Sequence, residues 1–277
     1  MIDKYQIDYY QTKGWKSKDR KFEIPGWETK LPKVDLSLNK EILLRYLKDN
    51  WTNLTNLPIR FRPGWGSYRW QYSPKIPQLA VELGASLIDT AEGYGFGKVE
   101  TELGKALENV SLGDTILASK VSRNHLSSKA LYSAALRSRD KLKRTIDLYQ
   151  IHWYDPKYRW EDIFETLAKL LEEKVIHYVG VCNCSVQMLA EAREAAYTQG
   201  IEIVSNQVAY NLEVLPYRSL LKEYCDGANI HLIGHSPLGQ KKPNVNQKLP
   251  FREFLDSGVV PIPGTNSLDH LRTNMQK

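Results

Sequence analysis

Residues 86–107 read SLIDTAEGYGFGKVETELGKAL. A short apolar run, Leu87 and Ile88, ends on Asp89; a turn containing Gly93, Gly95 and Gly97 follows, and then a longer amphipathic stretch. The same alternation continues outward from here. Apolar and β-branched runs lie near residues 115–119, 147–151, 176–180, 203–207, 230–234 and 259–262, with an earlier one near 59–62. Their starts recur about every thirty residues, the length of a strand plus a crossover helix. Between the fourth and fifth runs, Trp160, Ile163, Phe164, Leu167, Leu170 and Leu171 fall on one face at a 3.6-residue period and predict a helix. Eight such units predict an α/β fold of the (β/α)8 TIM-barrel type.

The rival is an open, doubly wound sheet, which announces a dinucleotide site by G-x-G-x-x-G directly after its first strand. Here the glycine cluster follows the second strand and lacks the last glycine at its spacing, so it reads as a permissive turn that presents Tyr94.

Residues 58–277 carry the barrel rhythm and residues 1–57 do not. That lead-in is rich in Tyr, Trp and Lys, with a turn at Pro25 and Gly26. A helix is expected from about Leu38 to Asn50, whose Ile42, Leu43, Tyr46 and Leu47 form an apolar stripe expected to pack on the barrel.

The 277 residues suffice for one large core. A net charge of +6 suits an anionic ligand, but Lys and Arg are interleaved with Asp and Glu, which argues against a nucleic-acid partner. No run approaches the roughly 18 apolar residues of a membrane helix, and the polar start MIDKYQIDYYQTKG lacks the apolar core of a signal peptide. A cytoplasmic protein without membrane attachment is expected. The three cysteines, Cys182, Cys184 and Cys225, cannot all pair and lack the further ligands of a zinc site, so reduced thiols and no metal are expected.

In a parallel barrel the strand C-termini converge on one mouth, where such folds keep their chemistry. Asp89, Tyr94, Lys120 and His152 each stand at or just beyond such an end. A carboxylate, a phenol, an ammonium and an imidazole together make a proton-delivery site. A phenol has an ordinary pKa of about 10, and a neighbouring ammonium favours its ionised form. Lys120 supplies that cation, Asp89 holds it, and His152 can donate a hydrogen bond to an oxygen that gains charge. Tyr94 is then the general acid, and the base in the reverse direction.

From about Trp65 to Asn274 the chain resembles the aldo-keto reductases. The resemblance is carried by DTAEGYG and GKVETELGKAL, by Lys120 and His152 at suitable distances, and by VGVCNCS from Val179, SNQVAYN from Ser205, HSPLGQ from His235 and PIPGTNSLDHLRTN from Pro261, in the family's order. It implies NAD(P)H-dependent reduction of a small-molecule carbonyl, since no side chain supplies hydride. It also implies cofactor positions. Gly66, Ser67 and Tyr68 match the loop beside the cofactor; Asn183 and Gln207 match the groups on the nicotinamide carboxamide, with Asp89 beside them. Cys182 stands where Ser is common and His235 where an aromatic ring stacks, while Ser236, Leu238 and Gln240 continue along the pyrophosphate.

The terminal motif departs from the family. Gly264, Asn266 and His270 occupy positions near which Lys or Arg neutralises the 2′-phosphate of NADP, leaving Thr265, Ser267, Arg272 and Asn274 for hydrogen bonding. NADP is implied, with NAD the alternative and a weakened preference expected. Only about twenty residues separate HSPLGQ from PIPGT, and the chain stops three residues after Asn274, so a mouth that is open, or else roofed by the lead-in of residues 1–57, is expected. Tyr68, Trp70, Trp153 and Tyr154 are the substrate-side candidates, suited to a flat or apolar molecule. Two other functions stay open: a nucleotide-sensing or scaffolding subunit with little turnover, and non-redox proton chemistry on the same four residues. The oligomeric state is not legible.

Overall fold

In a computed structural model of the protein, residues 57–211, 219–239 and 251–276 are described. The expected helix and apolar stripe of the lead-in lie outside them. Eight strands form one parallel sheet in chain order: β1 (Trp65–Gly66), β2 (Leu87–Asp89), β3 (Ile116–Val121), β4 (Ile146–Ile151), β5 (Ile176–Cys182), β6 (Ile203–Ala209), β7 (His231–His235) and β8 (Val259–Ile262). Across the seam, Gly64 N donates to Pro261 O at 2.8 Å and Gly66 N to Pro263 O at 3.3 Å, which brings β8 back to β1. The helices between strands are α1 (Lys75–Glu82), α2 (Lys98–Leu107), α3 (Ser128–Leu142), α4 (Trp160–Glu172), α5 (Val186–Thr198), α6 (Ser219–Gly227) and α7 (Phe251–Asp256); α8 (Leu268–Asn274) follows β8.

The two-residue period of a strand divides the core. Leu87, Ile116, Ala118, Leu148, Ile233, Val260 and Ile262 belong to one buried cluster, the barrel interior. Ile88, Leu117, Tyr149 and Ile151 belong to the other, between sheet and helices. The helix predicted at residues 160–171 is α4, and it buries Trp160, Ile163, Phe164, Leu167 and Leu170.

The first strand is a correction. It was expected near 59–62, where Ile59 and Phe61 alternate with arginines, but β1 is only Trp65–Gly66. Pro58 and Pro63 bracket the expected run and lack the N–H a ladder needs. Leu57 and Ile59 instead join the interior cluster as a plug beneath it. A cavity of about 560 Å³ lined in part by Phe61, Arg62, Leu83 and Gly84 lies at this end, where the chain enters β1 and β2.

Candidate active site

Parity explains the gathering of side chains at the other end. Asp89 follows Leu87 on the inward face of β2, Lys120 follows Ile116 and Ala118 on β3, and His152 follows Leu148 and Gln150 just past β4. Tyr94 reaches the mouth differently, from a loop that turns back after β2. Gly95 and Phe96 within that loop have φ of 55° and 54°, a left-handed path that glycine takes freely and phenylalanine does not.

Lys120 Nζ donates to Asp89 Oδ2 at 2.6 Å, to Thr90 O at 2.8 Å and to the Tyr94 hydroxyl at 3.2 Å. Asp89 Oδ1 accepts from Gln207 Nε2 at 2.7 Å, so the carboxylate is held from two strands. The Tyr94 and His152 rings meet edge to face, centroids 5.9 Å apart, and the Tyr68 ring stands 5.2 Å from that of Tyr94.

The electrostatics differ from the sequence expectation in one respect. Burial is the largest influence on Tyr94 and pushes the phenol up to about 12, outweighing Lys120, which lowers it. The ammonium is already paired with Asp89, so the phenol meets an ion pair and not a lone cation. Burial also works against the Lys120 ammonium, yet Asp89 and then Tyr94 hold its pKa above the ordinary lysine value. His152 is lowered to about 3 by burial, then by Lys120 and His235. At neutral pH the site therefore contains a protonated phenol, an ammonium and a neutral imidazole. The imidazole nitrogens make no hydrogen bond among the described residues, which leaves one N–H for an incoming oxygen.

The cofactor candidates divide into free and engaged groups. Asn183, at φ 59° directly after β5, donates through Nδ2 to His152 O at 3.1 Å, while its buried Oδ1 has no hydrogen-bond partner. The hydroxyl of Ser67, after β1, is likewise buried and unpartnered. A carboxamide supplies the N–H donor and C=O acceptor that two such atoms lack, so the residues fit a nicotinamide. Gly66 and Gly264 let the ends of β1 and β8 approach, since a Cβ on Gly66 would sit 3.1 Å from Ile262 O and one on Gly264 would sit 3.2 Å from Gly66 O.

Cys182 is buried, its thiol 3.7 Å from Gln150 Oε1, and burial raises its pKa well above the ordinary value, so it is an uncharged weak donor. His235 ends β7 with Nδ1 3.1 Å from the Ser236 hydroxyl, and Leu238 packs on the core. Gln240 lies outside the described residues. Asn266 is tied down: Oδ1 accepts from Gln71 N at 2.8 Å and Nδ2 donates to Arg69 O at 3.1 Å. Thr265 O accepts from Trp65 Nε1, and its hydroxyl accepts from Ser267 N. Ser267 caps α8 at His270 N, His270 is exposed, and Asn274 is buried.

The four substrate-side candidates do not stay together. Tyr68 is 50% exposed beside Tyr94, and Trp153 lies against His152. Trp70 is buried at 4% exposure, edge-on to Trp65, with its N–H on Ser73 O. Tyr154 stacks on Trp160 at 3.8 Å. Trp70 and Tyr154 are therefore packing residues in this structure. Phe96, not singled out from the sequence, is 88% exposed next to the Tyr94 turn. Glu92 and Glu100 were also passed over. The available signal was a carboxylate at residue 100 on the apolar face of α2 shared with Leu103 and Leu107.

Comparison with known proteins agrees with the fold. The model of the aldo/keto reductase family matches residues 59–243. Pyridoxal reductase, chloroplastic, of Arabidopsis thaliana is 27% identical over 295 residues, covering 81% of each chain. Aldo-keto reductase YhdN of Bacillus subtilis is 32% identical over 165 residues, covering 55% of this chain and 50% of its own. Among solved structures, the thermostable aldo-keto reductase Tm1743 in complex with epalrestat superimposes with a TM-score of 0.66 at 29% identity, covering 76% of this chain and 87% of that one. An aldo/keto reductase from Klebsiella pneumoniae in complex with NADP and acetate has the same fold, with a TM-score of 0.66 at 22% identity over 77% of this chain and 84% of its own. With the family model spanning most of the barrel, and the strand ends bringing Asp89, Tyr94, Lys120 and His152 to one mouth, this chain belongs to the aldo-keto reductase family.

Proposed function

We propose that the protein is a nicotinamide-dependent oxidoreductase that reduces an aldehyde, a ketone or a related unsaturated group of a small molecule, with Tyr94 as proton donor. The observation that carries this reading is the buried contact of the Tyr94 hydroxyl with Lys120 Nζ at 3.2 Å, beside a neutral His152. A nicotinamide bound against Asn183 and Ser67 would supply hydride. This chain handles the oxygen. His152 donates its N–H to the carbonyl oxygen, Tyr94 delivers the hydroxyl proton as charge develops there, and Lys120 stabilises the phenolate left behind. Asp89 keeps the ammonium in place throughout, and its second oxygen on Gln207 couples the ion pair to β6.

Such a site takes a planar group through the side where Tyr68 and Trp153 stand. The Arabidopsis relative is named for pyridoxal, a flat aromatic aldehyde. Aromatic aldehydes accordingly lead the substrate classes to examine. The test is quenching of protein fluorescence by NADPH and NADH, followed by turnover of a carbonyl panel that includes pyridoxal and an aliphatic aldehyde. Cofactor-dependent reduction is expected; binding without turnover would assign a nucleotide-sensing role instead, and neither binding nor turnover would leave proton chemistry without a cofactor. No helix among the described residues is long and apolar enough to cross a membrane.

NADP is the proposed cofactor, with a preference over NAD weaker than in relatives that carry cations in the terminal motif. Asn266 is a poor place to restore one, because its amide links β8 to the loop after β1. His270 is exposed on α8 and engages Ser267 only through its backbone N–H. Replacing His270 by Arg is expected to tighten NADPH selectively, by about 1.5–3 kcal/mol at most if a charged hydrogen bond to the phosphate forms. Equal gains for NADPH and NADH, or none, would show that the 2′-phosphate is not held there.

A further inference from the structure

The segment that carries Tyr94 is attached to β3 by side chains as well as by main chain. The β2–β3 pairing runs to Asp89 opposite Ala118. Past the end of β2 it continues: Thr90 N donates to Ala118 O at 2.9 Å and Glu92 N donates to Lys120 O at 3.2 Å. In a parallel ladder the next rung is a bond from Ser122 N to the main-chain carbonyl of Glu92. The chain turns away at Gly93, with Tyr94 N on Ala91 O at 3.0 Å, and Ser122 N donates instead to the Glu92 side chain, Oε1, at 2.6 Å. The same oxygen faces His125 Nδ1 at 2.9 Å, and Arg137 Nη2 stands 3.9 Å from the other. The carboxylate is 9% exposed.

A second grip lies further along. Ser119 Oγ donates to Glu100 Oε1 of α2 at 2.6 Å, on the outward face of β3, and Glu100 is fully buried. Glu92 and Glu100 thus flank Tyr94 in the chain, and their partners Ser122 and Ser119 flank Lys120.

We propose that Glu92 is a positioning residue for the Tyr94–Lys120 pair: its carboxylate replaces a main-chain carbonyl as the last rung of the β2–β3 ladder, which frees the chain to turn at Gly93 while fixing where the phenol comes to rest over the ammonium. Glu100 anchors the far side of the same turn. A backbone carbonyl in that place would carry the chain straight on along β3, away from the mouth. Without an acceptor at Glu92 the turn would lose its tie to β3 between the Glu92 amide upstream and Glu100 downstream, on the stretch that carries Tyr94. The proposal rests on the catalytic reading above, and the experiment separates the two.

The experiment uses the full chain with Glu92→Ala, Glu92→Gln and Ser122→Pro. Proline removes the donor and leaves the carboxylate intact, and the Ser122 φ of −74° suits it. A displacement of about 1 Å in a reacting group can cost roughly 10²-fold, so Glu92→Ala and Ser122→Pro are expected to lower kcat by about 10–10²-fold. NADPH dissociation constants read by fluorescence should stay within a few-fold. Glu92→Gln, which keeps an oxygen for Ser122 N, should recover most of the rate. Lys120→Met should cost a smaller factor in the Glu92→Ala background than in the wild type, because the phenol is no longer held on the ammonium.

A wild-type kcat in both Glu92→Ala and Ser122→Pro, a Gln variant as slow as Ala, or the same Lys120→Met factor in both backgrounds would each overturn the positioning role. If the wild type reduces no carbonyl, the catalytic reading fails, and the rung is read from the ¹³Cζ resonance of Tyr94, assigned with Tyr94→Phe. Its chemical shift should then change in Glu92→Ala; a coincident shift would overturn the rung.

Discussion

Replacing Tyr94 by Phe is expected to reduce carbonyl turnover by about 10²–10⁴-fold, the usual contribution of a positioned acid–base group. The substitution removes one hydroxyl and leaves the ring, so the edge contact with His152 and the packing against Tyr68 persist. Lys120 loses one of three acceptors but keeps Asp89 and the Thr90 carbonyl, both at shorter distances than the phenol. The ion pair and the unpartnered Ser67 and Asn183 oxygens are untouched, so cofactor affinity should remain within a few-fold. Steady-state kinetics beside a fluorescence titration check both halves. A Phe variant with most of the wild-type rate would remove Tyr94 from the role of acid. A matched loss of cofactor binding would show that the hydroxyl organises the mouth and not the proton transfer.

Replacing Lys120 by Met is expected to damage both stability and chemistry. Lys120 is fully buried and is paired with Asp89, itself 2% exposed. Removing one partner of a buried pair strands the other charge and typically costs about 3–5 kcal/mol. Gln207 remains as a donor to Asp89, which places the expected loss toward the lower end. Denaturant melts of the Met variant beside the wild type at neutral pH test this, and an unchanged midpoint would contradict it.

The kinetic consequence has a definite sign. Lys120 lowers the pKa of Tyr94 against the burial that pushes it up to about 12, so loss of the cation raises it further. Carbonyl reduction uses the protonated phenol and loses the stabilisation of the phenolate it forms. Alcohol oxidation uses the phenolate itself, and because the phenol stays protonated from neutrality up toward about 12, the Met variant should lose a similar factor throughout that range. A Met variant that oxidises the alcohol at the wild-type rate would exclude this role for Lys120.

Much of this was legible in the chain because barrels repeat. A strand and helix every thirty residues or so, with inward and outward residues alternating along each strand, place Asp89, Lys120 and His152 at one mouth without any knowledge of contacts. The first strand was misplaced because Ile59 and Phe61 alternate as a strand does, while Pro58 and Pro63 withhold the N–H groups a ladder uses. The aromatic residues near the mouth could not be sorted either. Trp70 and Trp153 look alike as sequence, but one lies edge-on to Trp65 inside the core and the other lies beside His152.

The sequence by itself determined the repeat, the inward parity of the tetrad strands and the chemical types that meet there, since these follow from local periodicity and from side-chain inventory. The tertiary structure alone decided the states of those groups. Gln207 reaches Asp89 across 118 positions of chain, Lys120 reaches Tyr94 across 26, and burial raises the phenol and lowers His152. Proton affinity responds to desolvation and to neighbouring charge, both of which are sums over residues distant in sequence. For the same reason Glu92 reads as an ordinary turn carboxylate until Ser122, thirty residues on, is seen donating to it.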